Sequence, residues 1–457
     1  MNNKMNNILK PDLYDVLCNS TSGDVLFSHA EELFPILRSI TGEGIRETLR
    51  YAEEKTRNFK LTDIPSGTKV LDWIVPDEWN LKSAKIKNTN GDVLVDVANS
   101  SLHIMQYSTA YRGEVSHDVL MQHIFTLPDQ PDLIPYKTSY YNKNWGFCIS
   151  ENHRNNLIDP EYRVEIDASL EPGNLTYGEV LIPGDTEEEI FFSIHCCHPS
   201  LANDNLSSFS IVLELIRALQ MIPRLRFSYR FVFVPGTIGA IAWLSNNFES
   251  CHKIRNGLVL SCLGDSGDIT YKKSRNEKCS TNHYLQWLID QEGKGRVLAF
   301  EPYGYDERQY CSPGFNLPVG CLMRSPNGTF PEYHTSADNL DFIKPEYLLE
   351  SFKFIAKFIS LVENDVFPVS KFPYGEPQLG RRGLYPSSSG DVSNAQDVPS
   401  QMSILWVLNL ADGEHSLLDM MIKSGKSFAS ILSTVDLLSK GDVIHLSQVR
   451  CGLSAQI

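Results

Sequence analysis

Between Gly178 and Pro326 the chain repeats one pattern: a short, mainly apolar run, a turn, then a longer run with apolar residues at helical spacing. The short runs are "GEVLIPG", "EIFFSIHCC", "SYRFVFVPG", "NGLVLSCLGD" and "PVGCLMRSP"; the longer ones are "LSSFSIVLELIRALQMI", "AIAWLSNNF" and "HYLQWLIDQEG". A strand without a polar alternate face is buried on both sides, and strands joined through helices run parallel. The pattern predicts a mixed, mostly parallel α/β sheet with helices on both faces. Asp204 and Asn205 stand where they would cap the first of those helices.

At 457 residues the chain exceeds one ordinary core, so two or three domains are expected. Residues 26 to 58 read as helical. From about Pro65 the pattern changes to short alternating runs with an Asn-Gly between two apolar segments, a hairpin signal. The expected division is an α/β domain built from residues 20–64 and 166–370, an inserted β-rich domain at 65–165, a Pro-, Gly- and Ser-rich linker at 371–400, and a last domain at 401–457. That last segment holds three short amphipathic helices and a terminal strand, "DVIHLSQ", the outline of a winged helix.

A net charge of -15 argues against non-specific binding to nucleic acid or anionic membrane. The last segment sets Asp412, Glu414, Asp419, Asp436 and Asp442 against Lys423, Lys426, Lys440 and Arg450. That is the wrong electrostatic footprint for DNA, so the winged helix is expected to pack on another domain or subunit, with a homo-oligomer as one outcome. No stretch is long and apolar enough to span a bilayer, and the N-terminal segment lacks a signal-peptide pattern, so a cytoplasmic protein is expected. Ten scattered cysteines then read as free thiols.

In an open α/β sheet, ligands bind outside the carboxyl ends of the strands. There "FFSIHCCH" ends in His195, Cys196, Cys197 and His198; Asp204 follows a short loop later; "LVLSCLGD" ends in Asp265; and "EYHTSADN" carries His334. Mixed imidazole and carboxylate ligation suits zinc or a related first-row metal. Each residue also has an ordinary explanation. His195 sits inside an apolar strand and reads as a hydrogen-bonded core residue, Asp204 as a cap, Asp265 as a turn aspartate, and the cysteines as packed hydrophobes.

"HPSLANDNLSS", followed by an apolar helix and "FVFVPGTIGAIAWL", resembles the zinc aminopeptidase-like proteins of the co-catalytic two-metal exopeptidase group. "YGYDERQYCSPGFNLPVG" and "FPEYHTSADNLDF" extend the likeness. More narrowly, the chain resembles a bacterial subfamily with an inserted protease-associated-like β domain and a C-terminal winged helix. The resemblance implies a metallopeptidase-like hydrolase that cleaves a peptide or other amide whose free amino group is held near the metals. It implies His198, rather than His195, on the first metal, Asp204 as the bridge, Asp265 completing the first site and His334 on the second. Besides the aminopeptidase, two further readings stay open: a hydrolase or modifying enzyme for an acylated amino sugar in polysaccharide biosynthesis, and an inactive binding or regulatory protein.

The chain departs from that group at one point. The group usually carries two adjacent glutamates after the strand that here reads "RFVFVPG"; this chain has Gly236 and Thr237. The nearest replacement is "YDERQ", with Glu307 expected as the missing base or ligand and Asp306 as its neighbour. Aromatic residues in "IPYKTSYYNKNWGF" could wall a cleft, although such residues are usually core. Arg381 and Arg382, beside Tyr385, are read as an ordinary solvated linker.

Overall fold

The computed structural model describes residues 8–384 and 399–451. Tyr385 and the rest of residues 385–398, part of the expected linker, lie outside them. The chain divides into two compact units, residues 20–352 and residues 1–19 with 353–457.

The first unit is organised by an eight-stranded sheet. Its strands along the chain are β1 (Phe59–Pro65), β2 (Asn174–Ile182), β3 (Glu189–His195), β4 (Ser228–Val234), β5 (Ile254–Leu260), β6 (Thr270–Lys272), β7 (Arg296–Leu298) and β8 (Val319–Met323), in the spatial order β1-β2-β4-β3-β5-β8-β6-β7. The four central strands β4, β3, β5 and β8 are parallel, while β1, β2 and the β6–β7 pair meet their neighbours antiparallel. Every residue of β3 is buried, as a central strand covered on both faces requires. The helix Ser208–Leu219 exposes only Arg217, and Ile238–Asn246 is buried over its first seven residues. The mixed, mostly parallel sheet read from the sequence is present. The expected cap differs: Ala202–Ser207 forms a wide turn ahead of the helix, and no Asp204 side-chain bond caps it. The short strands β6 and β7 and the edge strand β1 add to the pattern read from sequence.

Within residues 65–165 and just beyond, a four-stranded antiparallel sheet runs Val93–Asp96, Glu78–Asn88, Glu161–Glu171, Tyr111–Ser116. The segment also reaches back to the main sheet's rim. Tyr136 N–H donates to His334 O at 2.8 Å, Ser336 N–H to Ile134 O at 2.9 Å, and the Gln130 side chain to Pro331 O at 2.8 Å. The inserted segment thereby fixes the backbone on both sides of His334.

The second unit carries helices Gln401–Leu410, Leu417–Ser424 and Phe428–Lys440, each with a serine N-cap: Ser400, Ser416 and Ser427. Phe367–Ser370 pairs antiparallel with Ile444–Ser447, so the two-stranded wing draws one strand from before the linker. Arg381 and Arg382 lie in a short turn, Gly380–Arg382, with the Arg382 guanidinium over the Phe372 ring. No helix among the described residues is long and apolar enough to cross a membrane.

Candidate metal centre

The end of β3 delivers His195 and, three residues on, His198; the turn Ala202–Ser207 delivers Asp204. These three offer ligand atoms that all lie within 4.8 Å of one another. His195 Nε2 is 2.6 Å from Asp204 Oδ1, and His334 Nε2 is 3.0 Å from Asp204 Oδ2. The two oxygens of one carboxylate thus face two imidazoles, one 9 and the other 130 residues away in the sequence. His195 and Asp204 are fully buried.

Electrostatics keeps these groups in the states a metal takes. Burial raises the Asp204 carboxyl, but His198 and His195 outweigh it and hold the group well below the ordinary carboxylate range. Burial drives His198 well below the ordinary imidazole value and keeps it neutral. His198 Nδ1 is buried without a hydrogen-bond partner. An orphaned imidazole nitrogen beside a shared carboxylate fits a cation, and two to three histidines with an aspartate fit zinc.

Other residues hold this set in place. The Asp338 carboxylate accepts from Asn203 N–H at 2.6 Å and Asp204 N–H at 3.0 Å; burial pushes its carboxyl up to about 8. The buried Arg38 donates through Nε to His198 O at 2.9 Å, and burial brings its guanidinium down to about 10. His334 and Thr237 both adopt positive φ, +56° and +60°, at a cost of about 1–3 kcal/mol each that surrounding packing must offset.

The sequence-derived residues divide into those that converge and those that do not. His198, Asp204 and His334 come together, and His195, read as core, joins them. Asp265 stands apart: its carboxylate accepts from Asn203 Nδ2 at 2.8 Å, Gly267 N–H at 2.7 Å and Ser325 Oγ at 2.7 Å, which leaves it shaping the Asn203 turn. Glu307 also faces elsewhere. Its carboxylate is paired with the buried Lys272 and accepts Tyr305 N–H at 3.1 Å. A side chain on Gly304 would fall 2.1 Å from Glu307 Oε1 and 2.2 Å from Lys272 Nζ, so only glycine allows this closure.

Asp306 has the opposite surroundings. One oxygen accepts Thr237 N–H at 2.8 Å; the other, Oδ2, is buried with no partner. Burial pushes its carboxyl up to about 7, with His195 pulling the other way. Gly236 completes the exchange of parts, since a Cβ there would meet the Tyr305 hydroxyl at 1.9 Å. The Tyr305 ring lies 3.7 Å from the His195 ring. Where the resembling group has two glutamates, this chain has a bare backbone filled by the Tyr305–Asp306 loop. Cys196 and Cys197 are buried neutral thiols, raised by desolvation, and Cys197 Sγ accepts Gly236 N–H at 3.1 Å.

A cavity of about 890 Å³ opens onto His198 and His334, with Tyr136, Tyr140 and Tyr141 of the inserted segment and Trp73 among its walls. The aromatic run in that segment therefore does wall a cleft. Neither Asp338 nor Arg38 was singled out by spacing, since each works through backbone groups far away in the chain.

The sheet and its rim define an α/β protein with an aminopeptidase-like fold and a buried His/Asp cluster at its strand ends. Residues 27–365 match the family described as "Domain of unknown function (DUF4910)", and the chain belongs to that family. Residues 367–446 match a winged helix-turn-helix family. A Clostridium acetobutylicum protein named "Putative polysaccharide biosynthesis protein with aminopeptidase-like domain" is 42% identical over 430 residues, 94% of this chain and 98% of that one. The crystal structure of a "putative peptidase" from the same organism matches with a TM-score of 0.88 at 40% identity, covering 95% of this chain and 98% of that chain. The fold alone is shared with a zinc aminopeptidase from Bacillus subtilis, at TM-score 0.53 and 11% identity over 74% of this chain and 94% of that one.

Proposed function

We propose that this chain is a metal-dependent amide hydrolase of the aminopeptidase kind, with zinc held by His195, His198, Asp204 and His334. The observation that carries the reading is the single Asp204 carboxylate facing imidazoles with both oxygens, beside the orphaned His198 Nδ1. Zinc held by these residues would lower the pKa of a bound water and polarise a scissile carbonyl. Asp306, with one oxygen anchored on Thr237 and the other free, is the candidate to take the water's proton and return it to the leaving amine. It stands in for the glutamate that Gly236 and Thr237 lack. Glu307 supports that loop through Lys272. Tyr136 and Tyr305 pack on the imidazoles and restrict water around them.

A second reading, hydrolysis or modification of an acylated amino sugar, is favoured by the polysaccharide-biosynthesis name of the 42% identical relative. It uses the same site and the same cleaved bond. The ten free cysteines suit a reducing compartment, so we assign the chain to the cytoplasm. The winged-helix unit is assigned to contacts with protein rather than nucleic acid: Lys440 pairs with Asp436 at 2.6 Å and Lys371 with Asp442.

Elemental analysis of the purified full chain beside a His198→Ala/His334→Ala double variant tests the reading. About two zinc ions per chain, lost in the variant, are expected for a co-catalytic site. No metal in the parent even after incubation with zinc would overturn it and leave a binding protein on this fold.

A further inference from the structure

A substrate ammonium is held most strongly by a carboxylate on the wall of its binding cavity. Among the described residues, none lines the cavity over His198 and His334. Three of the carboxylates nearby are already committed. Asp204 faces His195 and His334, Glu307 pairs with Lys272, and Asp338 holds backbone N–H groups. Asp306 is wholly buried. The one guanidinium or ammonium group in the lining is Arg308. Arg308 is exposed, follows Asp306 by two residues and is flanked by Gln309, which lines the same cavity. Its neighbour Glu307 is turned inward onto Lys272, and the buried Asp306 is the acid whose charge Arg308 feels.

We infer that the substrate of this site carries a carboxylate taken by the planar donor fork of Arg308. A guanidinium fork matches a carboxylate in geometry and charge, and the one such cation in a lining without an acid draws anions to it. Trp73 and the tyrosines Tyr136, Tyr140 and Tyr141 give the intervening part of the substrate an aromatic wall. The inference rests on the metal-site reading above and narrows it to acid-bearing amides.

Three hydroxamates that share one metal-binding head test it by calorimetric titration of the zinc-loaded full chain. Succinic acid monohydroxamate ends in a carboxylate, butanohydroxamate in a methyl group, and β-alanine hydroxamate in an ammonium. The acid is expected to bind about tenfold more tightly than the methyl compound, the scale of one charge-assisted pair, and the ammonium compound no more tightly than the methyl one. In Arg308→Gln of equal zinc content that preference for the acid disappears; Arg308→Lys keeps part of it. Equal affinities in the parent, a preference for the ammonium compound, or an acid preference that survives in Arg308→Gln would each overturn the inference while leaving the metal site standing. Failure of all three to bind would overturn the metal-site reading and this inference with it.

Discussion

The turn Ala202–Ser207 and the loop Tyr303–Tyr310 both bring acidic residues to the rim of the sheet, yet they treat them in opposite ways. The turn gathers partners around one carboxylate: Asp204 takes His195 and His334 on separate oxygens while Asp338 holds its backbone N–H. The loop separates two adjacent ones. Asp306 holds Thr237 N–H with one oxygen and keeps the other buried and unpartnered, and Glu307 pairs with the buried Lys272. An unpaired buried acid is a candidate for proton transfer, whereas the charge of Glu307 is already neutralised by its ion pair. Adjacent acids in sequence can thus take different roles, decided by which partner each side chain reaches.

The comparison breaks most plainly through Asp306→Asn. Hydrolysis of a responsive amide is expected to fall about 10²- to 10⁴-fold, the usual share of a general base, with zinc content unchanged. A variant with full activity would remove Asp306 from the chemistry. Glu307→Gln tests the other half. Lys272 would keep its charge in a buried place without a counter-ion, which costs about 3–5 kcal/mol and is read as a lower denaturant midpoint, while zinc content stays at the parent level. If that variant instead lost zinc at unchanged stability, the two acids would have to exchange roles. Asp265→Asn should matter least, at about 1–3 kcal/mol for hydrogen bonds weakened around Asn203, with zinc retained. Loss of zinc there would bring Asp265 into the metal site, as the family resemblance implies.

Much of the fold was legible because it follows from local pattern. The continuous apolar runs at β3, β4 and β5 require burial on both faces, and the helices between them impose parallel pairing. The short strands Thr270–Lys272 and Arg296–Leu298 gave too few residues for any periodicity to show. Parts of the site were legible through residue type at strand ends, as with His198, Asp204 and His334. His195 was masked by its own context, since an apolar strand gives a core histidine and a buried ligand the same neighbours. Asp265 and Glu307 carried the right chemistry, but their partners, Ser325 and Lys272, stand 60 and 35 positions away.

The sequence by itself determined the class of sheet, the imidazoles and carboxylates at its rim, and the absence of an acid at Gly236 and Thr237. Only the tertiary structure decided that Tyr305 fills the space over Gly236, that Asp306 rather than Glu307 meets Thr237, and that the inserted segment ties down His334. The reason is physical: strand and helix patterns arise from neighbours a few residues apart, whereas a site is made by side chains whose partners lie on other elements.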